Sequence, residues 1–269
     1  MGHPAVAAFA RLAEGNVNPT RKIAGQNTLI SRTIHDMTYD AVHDEILVPS
    51  FYAQGILTFR GDANGDVAPI RKIFGPKATL QMTEAVGVDP INNEIVVPQY
   101  GRVLVFPRLA DGDVAPIRVL EGPDTRLSSG QAGRAHVDWV NNVLVARLQG
   151  GGVGIFDRTA SGNTKPLRVI NGVGGMFALY PAKGLIFAQG EGGGDRHEVG
   201  DNISVWSVHD SGDAPARWVI GSRVFYDIRG VAFDPEHKLV MATDKNLNAL
   251  VTFHVPEVFD DPEPGPRTR

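Results

Sequence analysis

Ala110-Asp111-Gly112-Asp113-Val114-Ala115-Pro116-Ile117-Arg118 decides the fold, because the chain repeats it. "ANGDVAPIR" stands at Ala63 to Arg71. Looser copies are "AEGNVNPTR" at Ala13 to Arg21, "ASGNTKPLR" at Ala160 to Arg168 and "DSGDAPAR" at Asp210 to Arg217. The closing arginines are Arg21, Arg71, Arg118, Arg168 and Arg217, a period of 47 to 50 residues. Periods of that length mark blade or solenoid arrays, in which each unit buries its apolar face against the next.

Outward from the motif, each unit reads as four strand-like pieces. In the unit ending at Leu120 they are Ala85 to Asp89, Glu94 to Pro98, Arg102 to Phe106 and Ala115 to Leu120. Pro90 to Asn93 and Gln99 to Gly101 are turns, where Pro fixes φ and Asn tolerates a left-handed backbone. Ala110 to Asp113 reads as the hairpin turn into the outer strand. Gly65, Gly112 and Gly162 are then expected at positive φ. An aromatic closes the third strand at Phe9, Phe59, Phe106, Phe156 and Trp206, with a Gly six residues later each time. Inner strands end at Asp40, Asp89, Asp138 and Asp234.

Four antiparallel strands repeated radially make an all-β propeller, an arrangement that protects sheet edges. The count predicts five four-stranded blades, with the N-terminal outer strand, Thr20 to Ala24, completing the last blade. One strand is in excess, since residues 5–13 and 250–254 claim the same third slot. The domain is expected over residues 1–255, and the acidic, Pro-rich residues 256–269 as a disordered tail.

Composition narrows the function. Of 269 residues 42% are apolar, Lys and Arg number 26 against 30 Asp and Glu, and the net charge is -4. Mixed charge of that size excludes a nucleic-acid footprint, and no apolar run is long enough to span a membrane. Cysteine is absent, which removes thiol chemistry and leaves the compartment open. Met1 to Pro4 is no signal peptide; a soluble, extracytoplasmic protein without its signal sequence is one reading.

The pattern "NGDVAPIR", "VD", "NNEI", "VLVF" resembles bacterial NHL-type propellers of the gluconolactonase-like superfamily over nearly the whole chain. The resemblance implies the fold. It spans binding modules, lyases and metal hydrolases, so it does not imply one activity. The hydrolases' metal ligands on inner strands are not matched residue by residue.

In a propeller, the loops from outer to inner strands share a face with the turns between second and third strands. Counting back from the inner-strand Asp places His35, Glu84 and Arg229 five residues before it, and Asp36 and Arg134 four before, on one channel rim. A His and carboxylates suit a divalent cation (Ca, Zn or Mn) or acid–base work. Arginines opposite suit an anionic ligand. The alternative is that the five charges neutralise one another as a structural plug. Residues 190–202 form the longest irregular stretch, where Asp195, His197, Glu198 and Asp201 match no known metal loop. Phe51, Tyr52, Tyr100, Phe225 and Tyr226 suit a sugar or a protein, or cap the layers between blades. Gln149 to Gly154 is rejected as a phosphate loop, because a strand follows it. His43 and His237 read as solvated, and His136 as a core histidine.

The reading is a binding propeller that takes a small molecule or a protein at the channel mouth, with Asp36, Arg134, Tyr100, Tyr52 and His197 as ligand contacts. A second reading is a lactonase-like hydrolase or a lyase, with His35, Glu84 and Arg229 catalytic and His35 and Glu84 holding a metal. A third is a structural repeat scaffold.

Overall fold

Residues 4–32, 34–130, 133–190 and 201–261 are described by a computed structural model of the chain. The architecture is a β-propeller of five small blade sheets. It divides into two compact units, Met1–Leu120 with Ser129–Ala135, and Glu121–Ser128 with His136–Arg269.

In the first unit, β1 (Val6–Ala8) pairs with β2 (Arg21–Ile23). One blade follows as β3 (Thr38–Asp40), β4 (Glu45–Ser50), β5 (Gly55–Arg60) and β6 (Arg71–Ile73), in that spatial order. The next is β7 (Gly87–Asp89), β8 (Glu94–Gln99), β9 (Arg102–Pro107) and β10 (Arg118–Glu121). The second unit carries β11 (Ala135–Asp138), β12 (Val143–Arg147), β13 (Val153–Asp157) and β14 (Arg168–Ile170). Its next blade is β15 (Val173–Tyr180), β16 (Leu185–Gly190), β17 (Asp201–Ser207) and β18 (Trp218–Phe225). It ends with β19 (Ile228–Asp234), β20 (Leu239–Asp244) and β21 (Ala249–His254).

Why these segments are strands is legible in their burial. β4, β5, β8 and β9 are runs of aliphatic residues, buried on both faces. Leu47, Ile56, Ile73, Ile95, Val97, Leu104 and Phe106 form one core cluster between the two blades of the first unit. The strand-closing aromatics Phe59, Phe106 and Phe156 are fully buried, and Trp206 is 5% exposed. Phe9 departs from that set: it lies beyond β1 and is 47% exposed.

The repeated motif is not the tight hairpin that the sequence suggests. Ten residues separate β9 from β10 (108–117), and the Gly turn within them reaches the outer strand of the preceding blade. Gly112 N–H donates to Lys72 O (2.7 Å) and Phe74 N–H to Gly112 O (3.1 Å). On either side of that glycine, Asp111 accepts from Lys72 N–H (2.9 Å) and Asp113 from Lys77 N–H (2.7 Å). Gly65 repeats the latch on Lys22 and Ala24, with Asp66 taking Asn27 N–H. In the second unit Gly162 accepts from Glu121, and Gly212 bridges Val169 and Asn171. An outer strand otherwise leaves one row of amides unpaired, and the motif supplies their partners. Its glycines are left-handed as expected: φ is 82° at Gly65, 81° at Gly112 and 60° at Gly162.

The Asp that ends four of the five inner strands (Asp40, Asp89, Asp138 and Asp234) is a turn cap. Asp89 Oδ1 accepts from the amides of Ile91 (3.1 Å) and Asn92 (2.9 Å), and its Oδ2 from Asn92 Nδ2 (2.8 Å). Asp138 does the same with Val140 and Asn141. His43 and His237 stand where those asparagines stand, each 2.8 Å from its Asp through Nδ1. They are turn ligands, which corrects the solvated reading. Asn92→His is therefore expected to hold stability within about 0.5 kcal/mol, while Asn92→Ala loses about 1 kcal/mol of hydrogen bonding. Urea denaturation of both variants checks this, and equal losses would contradict the shared role.

Two features of the chain ends differ from expectation. β2 pairs with β1, and the sheet of β19, β20 and β21 has three strands among the described residues. Arg21–Ile23 therefore does not add to β21: β1 holds the third-strand position beside it, and Thr20 N–H closes that hairpin onto Ala8 O (2.8 Å). Of the expected tail, Pro256–Asp260 forms helix α1, with Val258 and Phe259 buried. Phe259 packs against Tyr180 and Phe187, and Lys183 Nζ caps the carbonyls of Phe259 and Asp261.

Candidate functional site

The register counted from the inner-strand Asp brings equivalent positions together in the first unit. His35, in the connection from β2 to β3, meets Glu84, in the connection from β6 to β7, at 3.2 Å (Nδ1 to Oε1). Asp36 meets Arg134 at 2.8 Å (Oδ1 to Nη1). The first pair joins a 42% exposed imidazole to a 7% exposed carboxylate, whereas both partners of the second are under 10% exposed.

Burial dominates the acids. It pushes the Asp36 carboxyl above its ordinary value, against the Arg134 charge and hydrogen bonds from Met37, Val86 and Arg134. It pushes Glu84 up as well, against the charge and hydrogen bond of His35. Such groups favour folding most when protonated, and that contribution is lost as pH rises through the folded value.

Aromatic residues surround the exposed member. Phe51 stacks on the His35 ring with centroids 5.5 Å apart and planes 11° apart. Tyr52 meets Phe51 edge-on at 5.0 Å, and the Arg32 guanidinium lies 5.9 Å above the Tyr52 ring. Tyr52 is 57% exposed and Tyr100 36%. The Tyr100 hydroxyl reaches Met82 Sδ at 3.1 Å. Sequence reasoning missed Arg32 and Met82, which no motif marks.

A further pattern is confined to this face. The buried side-chain oxygens without a hydrogen-bond partner, among the described residues, are Ser31 Oγ, Asp36 Oδ2, Ser50 Oγ and Thr83 Oγ1. All four belong to the loop-rich face of the first unit. Each such atom costs about 1–3 kcal/mol when left unmade.

The other expected site residues lie elsewhere. Arg229 belongs to the second unit and pairs with Asp227 at 2.9 Å. His197 lies outside the described residues. No group of three or more His, Asp or Glu side chains that could hold a metal assembles among the described residues. His35 and Glu84 thus offer two protein ligands and no third. His136 packs edge-on against Phe177, 5.3 Å between centroids, as a core histidine does. The Gly150–Gly152 run lines an open cleft of about 500 Å3 with Trp206 and Asp213 in the second unit, and strand β13 follows it.

No helix among the described residues is long and apolar enough to cross a membrane. No protein-family model matches the sequence, and no curated protein does. Solved structures do match. The β-propeller domain of Cps50 (Swd1) from Myceliophthora thermophila has a TM-score of 0.55 at 12% identity, over 87% of this chain and 70% of that one. A chain of a mitotic checkpoint complex has a TM-score of 0.55 at 13% identity, over 81% and 62%. Hydrazine synthase of Kuenenia stuttgartiensis has a TM-score of 0.53 at 13% identity, over 78% and 55%. This chain thus spans under two thirds of the last two. At these identities the likeness is one of fold, and the fold that the chain shares with the Swd1 domain is the β-propeller.

Proposed function

We propose that the protein is a binding propeller of the NHL-type kind that takes its partner on the loop-rich face of the first unit. The observation that carries this reading is the exposure of Leu29 (47%), Tyr52 (57%), Met82 (43%) and Tyr100 (36%) around the two ion pairs. These residues sit in loops that the blades hold rigidly, and aromatic and Met side chains beside polar groups are the composition of interface centres. A macromolecular partner suits that surface, because exposed apolar and aromatic side chains border the two ion pairs.

A second reading, acid–base chemistry by His35 and Glu84 in a lactonase-like hydrolase or a lyase, is supported by their 3.2 Å approach and by the desolvated Glu84. It needs a substrate-orienting cation, and Arg229 is engaged by Asp227.

Capture of partners from lysate followed by cross-linking mass spectrometry separates these readings. Cross-links should concentrate at Lys77, and the double variant Tyr52→Ser with Tyr100→Ser should reduce capture about tenfold or more, the loss of two interface anchors. Its melting temperature should stay within about 2 °C, since both rings are exposed. Unchanged capture, or cross-links confined to the turns after the inner-strand Asp residues, would reject this face.

A further inference from the structure

Resting on that reading of the face, we propose that its centre takes a monocationic, hydrogen-bond-donating group, a guanidinium or alkylammonium carried by the partner, with Glu84 as counter-ion. The unsatisfied buried oxygens of the described residues all fall here, at Ser31, Asp36, Ser50 and Thr83. Thr83 and Ser50 are fully buried, and Thr83 precedes Glu84 in the chain. Three of these oxygens are hydroxyls, which accept as well as donate, and Asp36 Oδ2 accepts when ionised, so all four can receive the N–H groups of a guanidinium or ammonium, which only donates.

The charges point the same way. Arg134 is committed to Asp36. Arg32 is placed over the Tyr52 ring. Glu84 has one ion partner, His35, which is charged only when protonated and is 42% exposed. With the imidazole neutral, the Glu84 carboxylate has no counter-charge. An incoming cation supplies it and displaces the imidazole.

The probe is Nα-acetyl-arginine amide, whose single charge is the guanidinium, against Nα-acetyl-citrulline amide, its neutral isostere. Amide chemical shifts of the whole chain are followed by NMR during titration. The arginine probe should move the signals of residues 34–37, 50–52 and 83–86, with the citrulline probe at least about tenfold weaker, as expected for loss of a charge-assisted contact. Glu84→Gln, which keeps the shape and the hydrogen-bonding capacity of the side chain, should weaken the arginine probe by about the same factor. His35→Ala should strengthen it, because it removes the competing partner of Glu84. Equal binding of the two probes, no response to Glu84→Gln, or weaker binding by His35→Ala overturns the proposal; so does the absence of shifts at these residues, which would assign the oxygens to ordered water. Loss of partner capture in the Tyr52 and Tyr100 variant would still support the face in that event, so the two ideas fail separately.

Discussion

Gly75→Ala is expected to cost about 3 kcal/mol, because it combines backbone strain with a clash against the Asp113 side chain that latches this turn. Gly75 follows β6 with φ 111° and ψ 171°, a region that essentially only glycine occupies. A Cβ there would stand 2.6 Å from Cγ of Asp113, whose carboxylate latches the next blade to this turn. Asp113 is exposed, so the clash is relieved by turning its carboxylate away, at the expense of the bond from Lys77 N–H. Gly112→Ala is the control. Gly112 has φ 81° but nothing within 4 Å of a Cβ, so only backbone strain applies, about 1 kcal/mol. Urea denaturation of both variants measures the difference. Similar losses would mean that the latch tolerates displacement and that φ alone sets the need for glycine. Gly25 meets Asp66 and Gly122 meets Asn163 in the same way, so the rule extends to both units.

Glu45→Gln should lose about 3–5 kcal/mol at neutral pH, the cost of breaking a buried pair and stranding its partners. Glu45 Oε2 accepts from Arg71 Nη2 at 2.5 Å and Arg108 Nη1 at 2.8 Å. The three side chains are 9%, 16% and 10% exposed. Burial alone would raise the Glu45 carboxyl, but the hydrogen bonds and charges of Arg71 and Arg108 outweigh it and hold the value below 4.5. A depressed value means that this stabilisation is present above 4.5 and is lost as pH falls through the folded value. The gap between wild type and Glu45→Gln should therefore close as pH falls below that point. Denaturant midpoints at pH 7 and in the acid limb test it; a gap that does not depend on pH would assign the loss to packing.

The sequence by itself determined the blades. The repeated motif, the Asn and Pro turns and a Gly six residues after each aromatic are local signals, and they placed the strands, the left-handed glycines and the inner-strand Asp residues. Counting from those Asp residues put His35, Asp36, Glu84, Arg134 and Arg229 at equivalent heights, because repeats in register do so; which of them pair was not part of that count. What a side chain meets some forty residues away is a different matter. That Gly112 latches Lys72, that Arg108 crosses to Glu45 and that Phe259 is core were decided by tertiary packing. So was the pairing of β2 with β1 rather than with β21: two segments had the pattern for one slot, and only hydrogen-bond geometry chose between them. The site follows the same division. Charge type was legible, but the pairing that neutralises Arg134 and leaves buried oxygens without partners depends on burial, which no local pattern encodes.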